Sequence, residues 1–377
     1  MEQVELPEGA ETLLFRIPGP LVEWYRGCAR DLPWRRTQDP YRVWISEIML
    51  QQTRVEAVKP YYERFLERYP DPRSLAESGG ELFKLWEGLG YYSRARNLRA
   101  AAAQIRARGG FPERYSELLE LKGVGPYTAA AISSICFGEP VAAVDGNVLR
   151  VLSRLLCIEE NPSSPALRKE IFRALCDAMP KGREGLSLSL STPFGQRRND
   201  VGDFNQGMME LGARVCLPNG APLCGECPLS GFCRACALDV QTTYPVRPEK
   251  KARKAEARTV FLLRREGKYA LRRRPESGLL AGLWEFPSVA GTLSIADAAR
   301  AVGCGRESLA PLGEAKHIFT HLEWHMTGWL AELSPQAGGV CAGFGELVFV
   351  SPEELERKYA LPSALEYYRR IVLGKNV

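Results

Sequence analysis

The sequence predicts a multidomain chain with an all-helical part over residues 1–240 and an α+β part over residues 259–377, joined by a basic linker at 241–258. Three observations predict it. At 377 residues the chain exceeds the usual size of a single core. Apolar residues recur at helical spacing up to about residue 240, where strand signals are almost absent. Beyond residue 258 they alternate as strands do.

Composition narrows the function classes. With 45% hydrophobic and 25% charged residues the chain reads as an ordinary soluble protein. A net charge of +5 permits a polyanionic partner without requiring one, so a case for nucleic acid must come from local motifs. No apolar run is long enough to span a membrane, and the first twenty residues carry Glu2, Glu5, Glu8 and Glu11, so neither a membrane span nor a secretory signal is expected. Five of eleven cysteines fall within residues 216–236, which reads as a metal site in a reducing compartment. The three histidines, His317, His321 and His325, are all C-terminal. Acid–base chemistry in the first three hundred residues therefore falls to carboxylates, Tyr, Lys or Cys.

Taken in order, residues 20–31 form an amphipathic helix, with Leu21, Trp24, Tyr25 and Cys28 at helical spacing and Pro33 ending it. LPWRRTQDPY is a loop feeding the helix that contains VWISEIMLQQT. There Glu47 stands among Val43, Trp44, Ile45, Ile48, Met49 and Leu50. An acid so surrounded is partly buried, burial raises its pKa, and it becomes a proton donor near neutral pH. The plainer alternative is an acid on a solvated helix face. Helices follow at 58–69, 82–86, 93–107 and 115–120.

LKGVGPYTAAAI then places a turn at Gly123 and Gly125, with Pro126 opening the next helix. Backbone N–H groups of such a hairpin can hold a phosphate without reading sequence, although a plain corner in a helical bundle would look the same. In AAVDGNVLRVLSRL, Asp145 precedes a helical pattern as an N-cap, and capping bonds are expected to keep it ionised. One apolar, protonated carboxyl and one polar, charged carboxyl are what cleavage of a glycosidic C–N or C–O bond through an oxocarbenium-like transition state requires.

Residues 181–203 read as a loop, within which SLSLS alternates like a short strand. YPVRPEKKARKAEAR is proline-punctuated and basic, as a linker is. TVFLLRR, KYALRRR, HLEWHMTGWLAEL and ELVFVS then alternate as strands, with helices at 295–302 and 352–359. In a β-alternating run the three histidines would share one strand face, and no metal is expected there.

SEIMLQQT, GLGYYSRARNL, LKGVGPYTA and VDGNVLRVL, in that order and followed by a cysteine cluster, resemble the helix-hairpin-helix DNA glycosylase superfamily, and within it the adenine DNA glycosylase (MutY) family. The resemblance covers essentially the whole chain. It implies a monomeric, cytoplasmic, nucleoid-associated base excision repair enzyme acting on duplex DNA with A mispaired with 8-oxoguanine or G. Glu47 would protonate adenine at N7, Asp145 would stabilise the sugar cation, and Asn147 would support the Glu and the catalytic water. Gln52 and Tyr91 would wedge into the duplex while adenine is flipped out. Trp34 and Arg35 would wall the adenine pocket, and the hairpin glycines, Gly123 and Gly125, would meet the DNA backbone.

Tyr127 occupies the position where endonuclease III-type glycosylases carry a Schiff-base lysine, so a monofunctional enzyme is expected. The alternatives are a glycosylase/AP lyase for oxidised pyrimidines, or an inactive DNA-structure-binding protein.

Cys216, Cys224, Cys227 and Cys233 resemble the family's [4Fe-4S] ligands, with one more residue than usual between the first two. Cys236 makes a second CxxC and leaves a tetrad of Cys224, Cys227, Cys233 and Cys236 open. The short gap between the two pairs disfavours a zinc ribbon. The C-terminal part resembles a Nudix-like module without the hydrolase signature, since its helix reads IADAARAVG, so metal-dependent pyrophosphate hydrolysis is not expected. Phe319, Thr320 and His321 match the loop that contacts 8-oxoguanine, with Thr320 where Ser is common. A sliding clamp or mismatch-repair factor is a family-level expectation.

Overall fold

In a computed structural model, which describes residues 4–180, 199–246, 252–334 and 342–376, the chain forms two compact units: Met1–Glu77 with Asn97–Glu249, and Ser78–Arg96 with Lys250–Val377.

The described secondary structure of the first unit is helical. The Pro40–Leu50 helix starts where Asp39 accepts from Tyr41 N at 2.8 Å and Pro40 fits the first turn. It buries all its residues from Val43 to Met49, and Trp44 packs edge-on against Tyr41 and Phe111. Its neighbour, the Pro126–Phe137 helix, carries TAAAISS, and side chains that small let the two backbones approach closely. Before that helix, Gly123 sits at φ 77°, and a Cβ there would lie 2.5 Å from the Asn97 side chain. Only glycine fits both demands.

The Asp200–Arg214 helix packs against the Pro18–Cys28, Pro126–Phe137 and Gly146–Leu156 helices. The sequence reading places no helix there and continues a loop to Asp203. Three glycines weaken its helical signal, yet Asn199 caps it and Phe204, Met208 and Leu211 reach the core. Residues 181–198, including SLSLS, lie outside the described residues. The helix expected at 20–31 runs Pro18–Cys28, and Pro33 opens a separate 3₁₀ turn at Pro33–Arg35.

The second unit is built on a sheet. Its strands are β1 (Lys254–Arg265), β2 (Lys268–Arg273), β3 (Trp284–Glu285), β4 (Ser288–Ala290), β5 (Leu309–Ile318), β6 (Leu322–Glu332) and β7 (Val348–Val350). Strand order is β3-β2-β1-β6-β5, with β4 on β1 and β7 on β2. β1 and β6 run parallel from Lys254↔Leu322 to Arg264↔Glu332, and the other described pairings are antiparallel. Alternation splits the core: Val260, Leu262 and Leu271 face the C-terminal helices, whereas Phe261, Leu263 and Ala270 face Ile295–Val302.

Several expectations change here. The strand begins at Lys254, inside the stretch read as linker to 258, because its exposed, charged first half lacks apolar alternation. β5 went unread because it is an edge strand with Pro311, Gly313 and a bulge between Leu312 and Glu314. The histidines do not share a strand face: His317 is on β5 opposite Trp324, His321 is in the turn, and His325 is on β6 opposite Lys316.

Residues 78–96, read as part of the helical domain, group by their contacts with the second unit. Leu361 N donates to Glu87 Oε1 at 3.0 Å, and Arg369 pairs with the same carboxylate at 3.2 Å. Apolar spacing predicts a helix over 82–86, found at Glu81–Leu85, but not which core receives it.

Candidate active site

Within the first unit, Glu47, Tyr127, Asp145, Asn147, Trp34, Arg35 and Gln52 line one cavity of about 420 Å³. That is the size of a small-molecule site. Glu47 is 7% exposed, held inside by the helix that also buries Trp44 and Ile48. The Tyr127 hydroxyl donates to Glu47 Oε2 at 2.8 Å and lies 2.8 Å from Met209 Sδ. Burial pushes Glu47 up to about 7; the Tyr127 bond and Arg35 oppose this, while the charge of Asp145 adds to it. Burial also raises Tyr127 well above the usual phenol value, so it stays a neutral donor.

Asp145 caps the Gly146–Leu156 helix by accepting from Val148 N at 2.8 Å, and it accepts from Asn147 Nδ2 at 2.9 Å. The expectation that these bonds keep its pKa low needs correction. Desolvation outweighs the bonds from Val148 and Asn147, and Asp145 is raised as well. The two carboxyls are coupled, and negative Asp145 helps to keep the proton on Glu47.

Asn147 is fixed from its other end by Arg150, whose guanidinium donates to Asn147 Oδ1 at 2.9 Å and to the carbonyls of Gly212 and Cys216 at 2.7 and 2.9 Å. Gly212 allows this approach, since a Cβ there would lie 2.6 Å from Asn147 Cβ.

Trp34 lines the cavity and also packs edge-on against Tyr62 at 5.3 Å, so wall and core contact are combined. Arg35 is held by Glu210, a fully buried acid at 2.7 Å that Arg30 also grips through two bonds of 2.7 and 2.8 Å. Burial would raise Glu210, but the hydrogen bonds from Arg30 and Arg35 hold it at about 2. Sequence reasoning missed Glu210 and Arg30. The signal was an acid among apolar residues in MMELG, inside a helix that was not recognised.

Gln52 has a left-handed backbone at φ 60°, exposed at the cavity rim. Gly125 caps the Pro126–Phe137 helix with no side-chain bond to its first turn.

Tyr91, Phe319, Thr320 and His321 belong to the second unit and are not among the residues that line this cavity. Tyr91 is also left-handed, at φ 47°, and 52% exposed. Its hydroxyl is 3.0 Å from Thr320 Oγ1. Phe319 packs on His317 and Trp324, leaving Thr320 and His321 exposed at the turn.

Cys216, Cys224, Cys227, Cys233 and Cys236 line a second cavity in the first unit, walled otherwise mainly by Val151, Leu155, Leu211, Val215 and Leu229. Among the described residues no three His, Cys, Asp or Glu side chains are gathered tightly enough to grip a single metal ion. The donor chemistry still suits a cluster, whose iron and sulfide atoms hold thiolates farther apart than one ion does. Burial pushes the Cys227 and Cys233 thiols up to about 12 and 11, so as free thiols they stay protonated near neutral pH, and a bound cluster would displace those protons. Buried Arg154 donates to Cys216 Sγ at 3.2 Å, a contact that a thiolate satisfies better than a thiol.

Two family models match the chain: "HhH-GPD superfamily base excision DNA repair protein" over residues 45–176, and "NUDIX domain" over 259–369. The adenine DNA glycosylase of Arabidopsis thaliana is 35% identical over 80% of this chain and 55% of its own length. That of Mus musculus is 34% identical over 80% of this chain and 68% of its own length. The chain thus spans little more than half of the plant relative. A solved thermostable thymine-DNA glycosylase is 26% identical and superposes with a TM-score of 0.50, covering 61% of this chain and all of that one.

Proposed function

Because the chain belongs to the adenine DNA glycosylase family, we propose that it removes adenine mispaired with 8-oxoguanine, and with G, from duplex DNA as a monofunctional glycosylase. The observation that carries this reading is Glu47, buried in the lining of the cavity and hydrogen-bonded to neutral Tyr127, where burial pushes its pKa up to about 7. In this reading Glu47 donates its proton to N7 of a flipped adenine, which weakens the bond from N9 to C1′. Asp145, also facing the cavity, stabilises the cationic sugar, and Asn147 keeps Asp145 oriented through its 2.9 Å bond. Glu210 and Arg30 hold Arg35 against the pocket, so that the base meets a fixed wall.

Tyr127 stands where a Schiff base would need an amine, and its phenol is held on Glu47. Cys216, Cys224, Cys227 and Cys233 would hold a [4Fe-4S] cluster, which would brace the loop they form. In the second unit, the loop Phe319–Thr320–His321 would meet the oxidised guanine, and Tyr91 and Gln52 would enter the duplex as wedges. Both have left-handed backbones, a strain that proteins keep where a residue must be presented in one way. We place the enzyme in the cytoplasm as a monomer on DNA, with a sliding clamp or mismatch-repair factor as the protein partner.

The test is base release from duplexes containing A opposite 8-oxoguanine, A opposite G, or thymine glycol. Release from the first two with negligible borohydride trapping supports the reading. Release of thymine glycol with efficient trapping would replace it with the lyase alternative.

A further inference from the structure

The chain leaves the Pro40–Leu50 helix through a turn, Leu50–Gln51–Gln52–Thr53, closed by Thr53 N donating to Leu50 O at 3.2 Å. Gln51 has φ −58° and ψ 114°, and Gln52 has φ 60°. These are type II values, and a type II turn asks for glycine at its third residue. Glutamine brings a Cβ that crowds the following carbonyl in this region, so the turn is strained. A relaxed form lies close by. Rotating the peptide between Gln51 and Gln52 by about half a turn gives a type I turn, in which Gln52 returns to negative φ and its side chain leaves in another direction.

Two hydroxyls oppose that relaxation. Thr53 Oγ1 donates to Gln51 O at 3.3 Å, the oxygen that the rotation would carry away. The Gln51 side-chain amide donates to Thr128 Oγ1 at 3.3 Å, across 77 residues of sequence. Thr128 is buried in the first turn of the Pro126–Phe137 helix, next to Tyr127, which holds Glu47.

The geometry points to Thr53 and Thr128 as positioning residues for base extrusion. Thr53 locks the strained form of the turn, and Thr128 ties the turn to the helix that carries Tyr127, so Gln52 is aimed in one direction. This inference rests on the reading that Gln52 enters the duplex as a wedge. A glutamine that fills the space left by an extruded base loses rotamer freedom in doing so. A turn with two populated forms would add a second cost, since only the fraction in the right form could act. Holding that form before DNA arrives removes the second cost. Gln51, Gln52 and Thr53 line the same cavity as Glu47, so the wedge and the acid are set from one frame.

The test is a double-mutant cycle in the full chain, with Thr53→Val and Thr128→Val, each alone and combined with Gln52→Ala. The readout is the extrusion equilibrium at saturating protein, followed by the fluorescence of 2-aminopurine placed beside a non-cleavable adenine analogue. Each Val variant is expected to lower extrusion about threefold to tenfold, the range one hydrogen bond commands. Ala at either position should match Val, and Ser, which keeps the hydroxyl, should restore extrusion. On the Gln52→Ala background neither Val substitution should lower it further. The inference is overturned if either Val variant leaves extrusion within about twofold, if Ser fails to restore it, or if the losses multiply with that of Gln52→Ala. If Gln52→Ala itself leaves extrusion intact, the wedge reading fails, and the inference with it. A loss with Gln52→Ala but not with the Val variants refutes only the inference.

Discussion

The Tyr127 hydroxyl donates a hydrogen bond to Glu47 Oε2 at 2.8 Å, across 80 residues of sequence, in the lining of the cavity. This bond favours the carboxylate, yet burial wins and leaves Glu47 at about 7. An acid in that position weakens the fold as pH rises. Its folded pKa lies above the value of 4.5 for the free side chain, so the cost is absent below pH 4.5, grows between pH 4.5 and 7, and is full above. Glu47→Gln should therefore stabilise the protein at pH 8 by up to about 3 kcal/mol and have little effect at pH 4. Denaturant melts at the two pH values check this; equal stabilities at both would show that Glu47 is solvated.

Glu210 has no exposed surface and balances Arg30 and Arg35. Glu210→Gln should cost about 3–5 kcal/mol, as removal of one member of a buried pair does. It should also leave Arg35 uncompensated beside Glu47. Arg35 already lowers Glu47, so the pH at which base release declines should move down in this variant. Rate profiles of the soluble fraction measure it, and an unmoved or raised limb would argue against Arg35 acting on Glu47.

Gly212→Ala puts a methyl 2.6 Å from Asn147 Cβ, with the Asn147 backbone also within 3.2 Å. Asn147 must shift, and its bond to Asp145 should break. We expect a loss of about 1–3 kcal/mol in stability. The single-turnover rate should fall about tenfold or more, comparable with Asn147→Ala. Full activity in the Ala variant would mean that Asn147 does not need its present position.

Five thiols share one cavity, so the ligand set is open to experiment. Cys236→Ser should keep the broad visible absorbance of a [4Fe-4S] protein, and Cys216→Ser should lose it. The reverse would assign the tetrad Cys224, Cys227, Cys233 and Cys236. A colourless wild type with stoichiometric zinc would remove the cluster from the account.

What was legible in the sequence was what short stretches determine. The apolar surroundings of Glu47, the cap at Asp145 and the glycine turn at Gly123 follow from neighbours within one or two helical turns, and each is found where expected. Properties set by distant segments were not legible. Glu210 meets Arg30 across 180 residues, and neither signals the other. The pKa of Asp145 rises because other elements bury it, which no cap pattern records. β5 hides because an edge strand has little to bury. The Ser78–Arg96 stretch shows its amphipathic spacing but not the core it joins.

The most direct measurement is the single-turnover rate of adenine release opposite 8-oxoguanine between pH 5 and 9, for wild type and Glu47→Gln. With the proton for the leaving base stored on Glu47, the wild-type rate should fall about tenfold per pH unit above a limb near 7. The variant should bind the duplex and release no base at any pH. A wild-type rate that stays flat to pH 9, or a variant that still excises adenine, would contradict the account.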